Sequence, residues 1–366
     1  MKPIRRVVTG NDAQGRSRVL FDGPVPNVNP GAVTPSSAAL HYASMTLAIS
    51  LATSRFTIQL SDRRLTHKPS GRVASEDANK AGTLICADAN LAYAYTGLAH
   101  DDARTFDTRE WLRRAILEAA PPDFEMELIA KRLADIASRD FGMPPISSLE
   151  SDARKLSVMF TGFWNTRLGA IPAGWIITNY QRDFDMGPRA PDDECPARRF
   201  RVWRWHPGDA NALRAFTHIE RLGARKSVKS AEMEKLKSML QSDRPIDAII
   251  GRALNVMRRA AERTETVGRE ISVIVIPQDV SQEILFSAEH HRVSPSTFVP
   301  DIAVATSPER CRWISLSVDA QQGVFVPRVH RKALCPCGSG RTYERCHRLY
   351  RRDTGRIPPS LLVRVE

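Results

Sequence analysis

Within CPCGSGRTYERCH at residues 335–347, three thiols and an imidazole stand in a C-x-C-x8-C-H spacing: Cys335, Cys337, Cys346 and His347. Three thiolates and one imidazole complete a tetrahedral set, the ligand chemistry of structural zinc (Zn2+). All four positions are filled by protein, so no coordination site is left for water or substrate and a catalytic metal is not expected. Gly338 and Gly340 permit the tight backbone that would wrap the ion, and residues 341–345 are predicted as a short helix delivering Cys346 and His347. A segment this short cannot bury a core, so metal binding must supply its fold. Cys86, Cys195 and Cys311 have no Cys or His at ligand spacing and are expected as reduced core thiols, while His290, His291 and His206 read as loop and turn residues.

A second set of residues is spread along the chain. Thr46 opens the run TLAISLA, Asp62 follows sixteen positions later inside SDRR, and Arg64 stands two further on. Lys80 lies in NKAGTLI, and GLAHD occupies residues 97–101. In this order Thr46, Asp62, Arg64, Lys80 and the G-x-A-x-D run resemble the proteasome β-subunit group of amino-terminal nucleophile (Ntn) hydrolases. The interval from Thr46 to Lys80 is slightly longer than in that group, and a surface insertion, HKPSGRVASED at 67–77, absorbs the difference.

The resemblance implies a mechanism. The Thr46 hydroxyl would attack a carbonyl, its proton passing to the free α-amine of the same residue, whose pKa lies near 8. Lys80 would be the electrostatic partner of the nucleophile, Asp62 the anchor of that lysine, and Gly97 a backbone N–H donor to the oxyanion. One such donor is worth roughly 100-fold or more in rate. Arg64 and Asp101 would be structural. The plainer reading is a β-branched residue at a strand start, a strand-end turn with ion pairs, and a surface lysine.

Catalysis on these terms requires a free amine on Thr46, and forty-five residues precede it. Self-cleavage at Met45-Thr46 would free it, as would translation from Met45 followed by removal of that methionine. Relatives that self-process usually carry glycine before the threonine, so Met45 favours the second route. A domain that keeps the fold and has lost the reaction is the third outcome.

These residues need strands and helices to position them. TLAISLA (46–52) with RFTIQLS (55–61), and TLICAD (83–88) with LAYAYTG (91–97), read as two antiparallel pairs. Helices are predicted over 107–120, opened by an Asp-Thr cap with Trp111, Leu112, Ala115 and Ile116 on one face, and over 121–141. Strands return at 155–164, 173–181 and 200–206, helices at 210–222, 230–241 and 245–264, and a buried strand at 271–277. This block order is not the alternation of a doubly wound sheet. It suits an α+β class with two sheets between helical layers, and the resemblance implies, within that class, a four-layer αββα Ntn-hydrolase-like sandwich with a small C-terminal zinc knuckle. The motifs of the resemblance span 45–111, and the order of elements carries it to 277.

The knuckle resembles the SEC-C module, which ends the bacterial translocation ATPase and is appended to many other proteins. In that family it docks chaperones or ribosomes, so the resemblance implies a protein or ribosome partner. Arg331, Arg341, Arg345, Arg348, Arg351 and Arg352 around it fit an acidic surface. Residues 327–366 hold ten Lys/Arg against three Asp/Glu, +7 of the chain's net +12, which also suits nucleic acid. No G-x-x-x-x-G-K-[ST] loop occurs, so ATP-driven export is not expected.

The chain therefore divides into an extension (1–44), the hydrolase-like domain (45–277), a connecting region (278–329) with strands in EILFSA and RCRWISLSV, the knuckle (330–352) and a basic tail (353–366). VPNVNPGAVTPSS at 25–37 is a linker composition; the preceding residues resemble the opening of small cupin-family proteins without that barrel's other strands. No apolar run approaches the roughly 18 residues of a membrane span, and a cytoplasmic location is expected. The two functional expectations are a threonine peptidase or amidase acting on a peptide or amide substrate, with self-assembly into a homo-oligomer as in relatives, and a non-catalytic zinc-binding adaptor.

Overall fold

The computed structural model describes residues 5–11, 17–24, 41–44, 46–67, 71–76, 78–101, 105–167, 169–180, 199–242, 244–279, 284–289, 301–314, 318–319 and 323–324. The Cys335, Cys337, Cys346 and His347 cluster, the basic tail, Cys195 and the His290-His291 pair lie outside the described residues. Two compact units are present. In the first, Met1–Ala38, strands β1 (Arg5–Asn11) and β2 (Ser17–Pro24) form an antiparallel hairpin.

The second unit, Ala39–Glu366, is built on two facing sheets. The smaller contains β4 (Leu47–Thr53), β5 (Phe56–Asp62), β13 (Thr217–Gly223), β14 (Ile271–Pro277) and β15 (Leu285–Glu289), in the order β13-β4-β5-β14-β15. The larger contains β3 (His41–Ser44), β6 (Leu65–His67), β7 (Val73–Ser75), β8 (Ala81–Cys86), β9 (Ala89–Asp101), β10 (Leu156–Thr166), β11 (Gly169–Thr178) and β12 (Arg201–Trp205), joined by β16 (Asp301–Ala305) and β17 (Cys311–Ile314). Its main path runs β12-β11-β10-β9-β3-β6-β7, with β16 parallel to β8. A short pair, β18 (Val318–Asp319) with β19 (Gly323–Val324), completes the strands of the described residues.

Side-chain alternation assigns each sheet face a different neighbour. On β4, Leu47, Ile49 and Leu51 pack with Leu60, Val273 and Val275 against helices α4 (Ser230–Gln241) and α5 (Ile246–Arg263). The intervening Ala48 faces the other sheet, where it meets Ala92, Ala94, Met159, Phe163 and Ile176. On the far side, Tyr93, Tyr95, Phe160 and Trp175 pack against α1 (Thr108–Ala119) and α2 (Met126–Phe141). Helices thus cover both outer faces of a sheet pair, and the expected mixed α+β class is what the chain adopts. The Asp107 cap is also present: its side chain accepts from Glu110 N at 3.0 Å.

Two expectations are corrected. The helix predicted over 210–222 is only α3 (Ala210–Arg214); Thr217–Gly223 is a strand paired along the whole of β4. Its β-branched Thr217 and Ile219 suit a strand, and β4 needs a hydrogen-bonding partner on that edge, a tertiary demand that local pattern does not reveal. The second helix begins at Met126 rather than near 121, because Phe124 takes φ 58 and turns the chain after two prolines. The strands expected in EILFSA and RCRWISLSV do form, as β15 on the smaller sheet and β17 beside β16.

Candidate active site around Thr46

Thr46 directly precedes β4 and is completely buried. Its hydroxyl Oγ1 lies 2.7 Å from Lys80 Nζ. The lysine, just ahead of β8, also donates to the Arg64 carbonyl at 2.6 Å and to Asp62 Oδ1 at 3.3 Å. An ammonium has three N–H donors, and here each faces an oxygen. The charged form of Lys80 is therefore the one the geometry accommodates.

Asp62 ends β5 and supports this arrangement. Its Oδ2 accepts from Leu47 N at 2.6 Å, and its Oδ1 from Arg64 N at 3.0 Å and Gly268 N at 3.2 Å. The carboxylate thus ties the residue after the threonine, the turn after β5 and the loop before β14 to one point. Burial pushes the Asp62 carboxyl above its ordinary value, opposed by the Lys80 charge and the three backbone donors. Burial pushes the Lys80 ammonium below its ordinary value, opposed by Asp62. The Arg64 side chain plays no part in this contact: it pairs with Glu76 at 2.8 Å and donates to the Glu265 carbonyl at 2.5 Å, bracing the rim.

The backbone of Thr46 is fixed from the other side. Its carbonyl accepts from Ala224 N at 3.1 Å and from Thr96 Oγ1 at 3.4 Å. Gly223 adopts φ +80, and a Cβ there would stand 1.6 Å from the Thr46 oxygen, so only glycine allows this approach. Gly97, at φ +110, likewise lies so close to the Lys155 carbonyl that an added Cβ would be 2.0 Å from it. Gly97 is paired with Ser44, two residues ahead of the nucleophile candidate.

Of the four residues proposed from sequence, Thr46, Asp62 and Lys80 are in direct contact, and Gly97 is one residue from Thr96, which touches Thr46. Thr96, Gly223, Ala224 and Gly268 were missed. The signal for Gly268 is the VG two residues ahead of a buried strand, whereas Gly223 is obscured when 210–222 is read as a helix.

β3 inserts between β9 and β6. Tyr42 pairs with His100 and His67, and Ala43 with Leu98 and Thr66. Residues 41–44, ahead of Thr46, therefore form a strand paired on both edges. Among the described residues no group of three or more His, Cys, Asp or Glu could hold a metal ion, and no helix is long and apolar enough to cross a membrane.

Comparison with known proteins gives two findings. The SEC-C motif family matches residues 331–349. Solved structures similar in fold include Anbu, an ancestral beta-subunit, from Yersinia bercovieri (14% identity, TM-score 0.41, covering 63% of this chain and 81% of that one). Others are the helical assembly of the Anbu complex from Pseudomonas aeruginosa (15%, TM-score 0.42, 68% and 88%) and Anbu from Hyphomicrobium sp. strain MC1 (14%, TM-score 0.40, 63% and 82%). No curated protein matches the chain.

Proposed function

We propose that the chain from Thr46 onward is a four-layer Ntn-type amide-bond hydrolase in which an amino-terminal Thr46 is the nucleophile. The observation that carries the reading is the contact of Thr46 Oγ1 with a buried lysine whose other two donors are also engaged. In the reaction, the α-amine of an amino-terminal Thr46 takes the hydroxyl proton as Oγ1 attacks the carbonyl. The Lys80 ammonium stabilises the developing alkoxide, and Asp62 holds Lys80 in place. Gly97 N–H is assigned to the oxyanion. Removing residues up to Met45 would free the facing edges of β9 and β6, and an extended peptide would add as a strand between them.

Intact mass with amino-terminal sequencing, on protein expressed from its native upstream region, tests whether the Thr46 amine is freed. A species beginning at Thr46 is expected. In a chain that retains Met45, Thr46 is buried and its nitrogen is an amide, which is not a base. That favours a second reading for the unprocessed form, a silent fold carrying a docking module. Self-assembly belongs to the same proposal and is read from the mass in solution by light scattering.

The pH profile of Thr46 acylation should be bell-shaped. Its rising limb follows loss of the α-amine proton near 8. Its falling limb follows loss of the Lys80 proton, which burial moves below the ordinary lysine value of 10.5. Rates that still hold at that ordinary value would contradict the assigned charge.

For the C-terminal module we propose structural zinc on Cys335, Cys337, Cys346 and His347, supported by the SEC-C match and the donor set. When bound, the ion would supply the fold of the segment and no catalytic chemistry. Native mass spectrometry of the full chain should find a single zinc, lost when Cys335 and Cys346 are both replaced by serine. The module, with its basic surround, would dock an acidic protein or ribosomal partner, or nucleic acid, and deletion of residues 330–366 should abolish that capture.

A further inference from the structure

The layer between the two sheets contains polar groups that the Thr46 site does not use. Among the side-chain atoms there without a hydrogen-bond partner among the described residues are these six: Ser50 Oγ, Thr57 Oγ1, both amide atoms of Gln59, Thr161 Oγ1 and Trp205 Nε1. Ser50, Thr57, Gln59 and Thr161 are at most 1% exposed and Trp205 is 7% exposed. Buried polar groups left unpaired are costly, and native proteins pair nearly all of them with protein or with internal water.

Register places the six atoms in one layer. Ser50 is directly opposite Gln59, and Ala52 opposite Thr57, on the face that carries Ala48 into the inter-sheet core. From the opposing sheet, Thr161 stands between Met159 and Phe163, both in that same core. Thr161 pairs with Gly174, which pairs with Trp205; a Cβ on Gly174 would be 2.6 Å from Trp205 Nε1, so the indole covers the glycine beside Thr161. The rest of the layer is apolar: Ile274 and Ile276 flank Gln59 and Thr57 on β14, and Ala92 and Ala94 come from β9 of the other sheet.

The donor and acceptor types select the ligand. Trp205 Nε1 and Gln59 Nε2 only donate, Gln59 Oε1 only accepts, and the three hydroxyls do either. A cation would face two N–H donors and an anion a carbonyl oxygen. Water satisfies all of them. We propose that Gln59, Ser50, Thr57, Thr161 and Trp205 form a binding site for a cluster of internal water molecules between the sheets. The polar stripe continues along β5 to Ser61, whose hydroxyl donates to the Asp62 carbonyl at 3.2 Å, so the hydrated layer adjoins the strand end that anchors Lys80. This inference does not rest on Thr46 being reactive.

A crystal structure of the full chain at a resolution that resolves solvent tests it directly. Water density bonded to the Gln59 amide and to Thr161 Oγ1 is expected; a layer without such density, with these side chains paired to one another, would overturn it. Gln59→Met provides a second readout, since it displaces the water and strips the hydroxyls of their shared partner. Its Tm should fall by about 2–4 °C or more. An unchanged or raised Tm would mean that the layer is dry, because removing an unpaired amide would then relieve a cost.

Discussion

In a chain beginning at Thr46, Lys80→Met should slow acylation of Thr46 by roughly 100-fold or more, the loss that follows removal of a charged donor from a buried reacting oxygen. Neither of the two side chains placed around Lys80 can replace it: Asp62 is an acceptor, and the Arg64 guanidinium is turned toward Glu76 and Glu265. The same substitution should destabilise the fold by about 3 kcal/mol, because it leaves the completely buried Asp62 without its counter-charge. The sign of the pH dependence distinguishes this cause from lost packing. Burial already raises the Asp62 pKa. Without Lys80 the rise is larger, so the variant's deficit should shrink as pH falls through that value and the carboxyl takes a proton. Urea unfolding of parent and variant across acid pH measures both effects. A deficit independent of pH would assign the loss to packing alone.

Gly223→Ala should be at least as severe through a different route. Its Cβ would meet the Thr46 carbonyl oxygen at 1.6 Å, and the neighbour is backbone, held by Ala224 N and Thr96 Oγ1, so it cannot rotate away. Either β13 separates from β4 at that end or Thr46 moves, and a displacement of that size carries the hydroxyl out of reach of Lys80. We expect a loss of about 3 kcal/mol or more, together with loss of acylation. Gly169→Ala is the control. It has φ +91 with nothing within 4 Å of the added Cβ, so it carries only the backbone cost of about 1–2 kcal/mol and leaves Thr46 untouched. Equal behaviour of the two alanine variants would remove the steric argument.

The legibility of this chain in its sequence varied with whether the determining force was local. The hairpin of β4 and β5 was readable because apolar alternation and a short polar break are local features. α1 was readable from Asp107 and a one-sided apolar stripe. Thr217–Gly223 was not, since its strand state comes from pairing with β4, and THIERLG carries no alternation strong enough to oppose a helix. The Thr46, Asp62 and Lys80 contact was anticipated only through a family resemblance; no periodicity places Lys80, thirty-four residues away, at 2.7 Å from a hydroxyl. The backbone groups that complete the site, from Ala224 and Gly268, are invisible to side-chain reasoning because any residue can supply an N–H. Glycine beside or at those positions was the available mark, and at Gly223 and Gly97 its meaning depends on which strand passes within van der Waals distance.

The central claim is that Thr46 is a nucleophile once its amine is free. The direct measurement is mass spectrometry of a chain released from a cleavable tag to begin at Thr46, incubated with a peptidyl β-lactone. Attack by Oγ1 opens the lactone, breaks its ring acyl–oxygen bond and returns the proton to the departing alkoxide, so the adduct carries the full mass of the probe. The account predicts one such adduct, mapped by peptide fragmentation to Thr46, absent from Thr46→Ala and from a chain that retains Met45. A folded chain with Thr46 at its terminus and no adduct there, or the same adduct with Met45 in place, would contradict it.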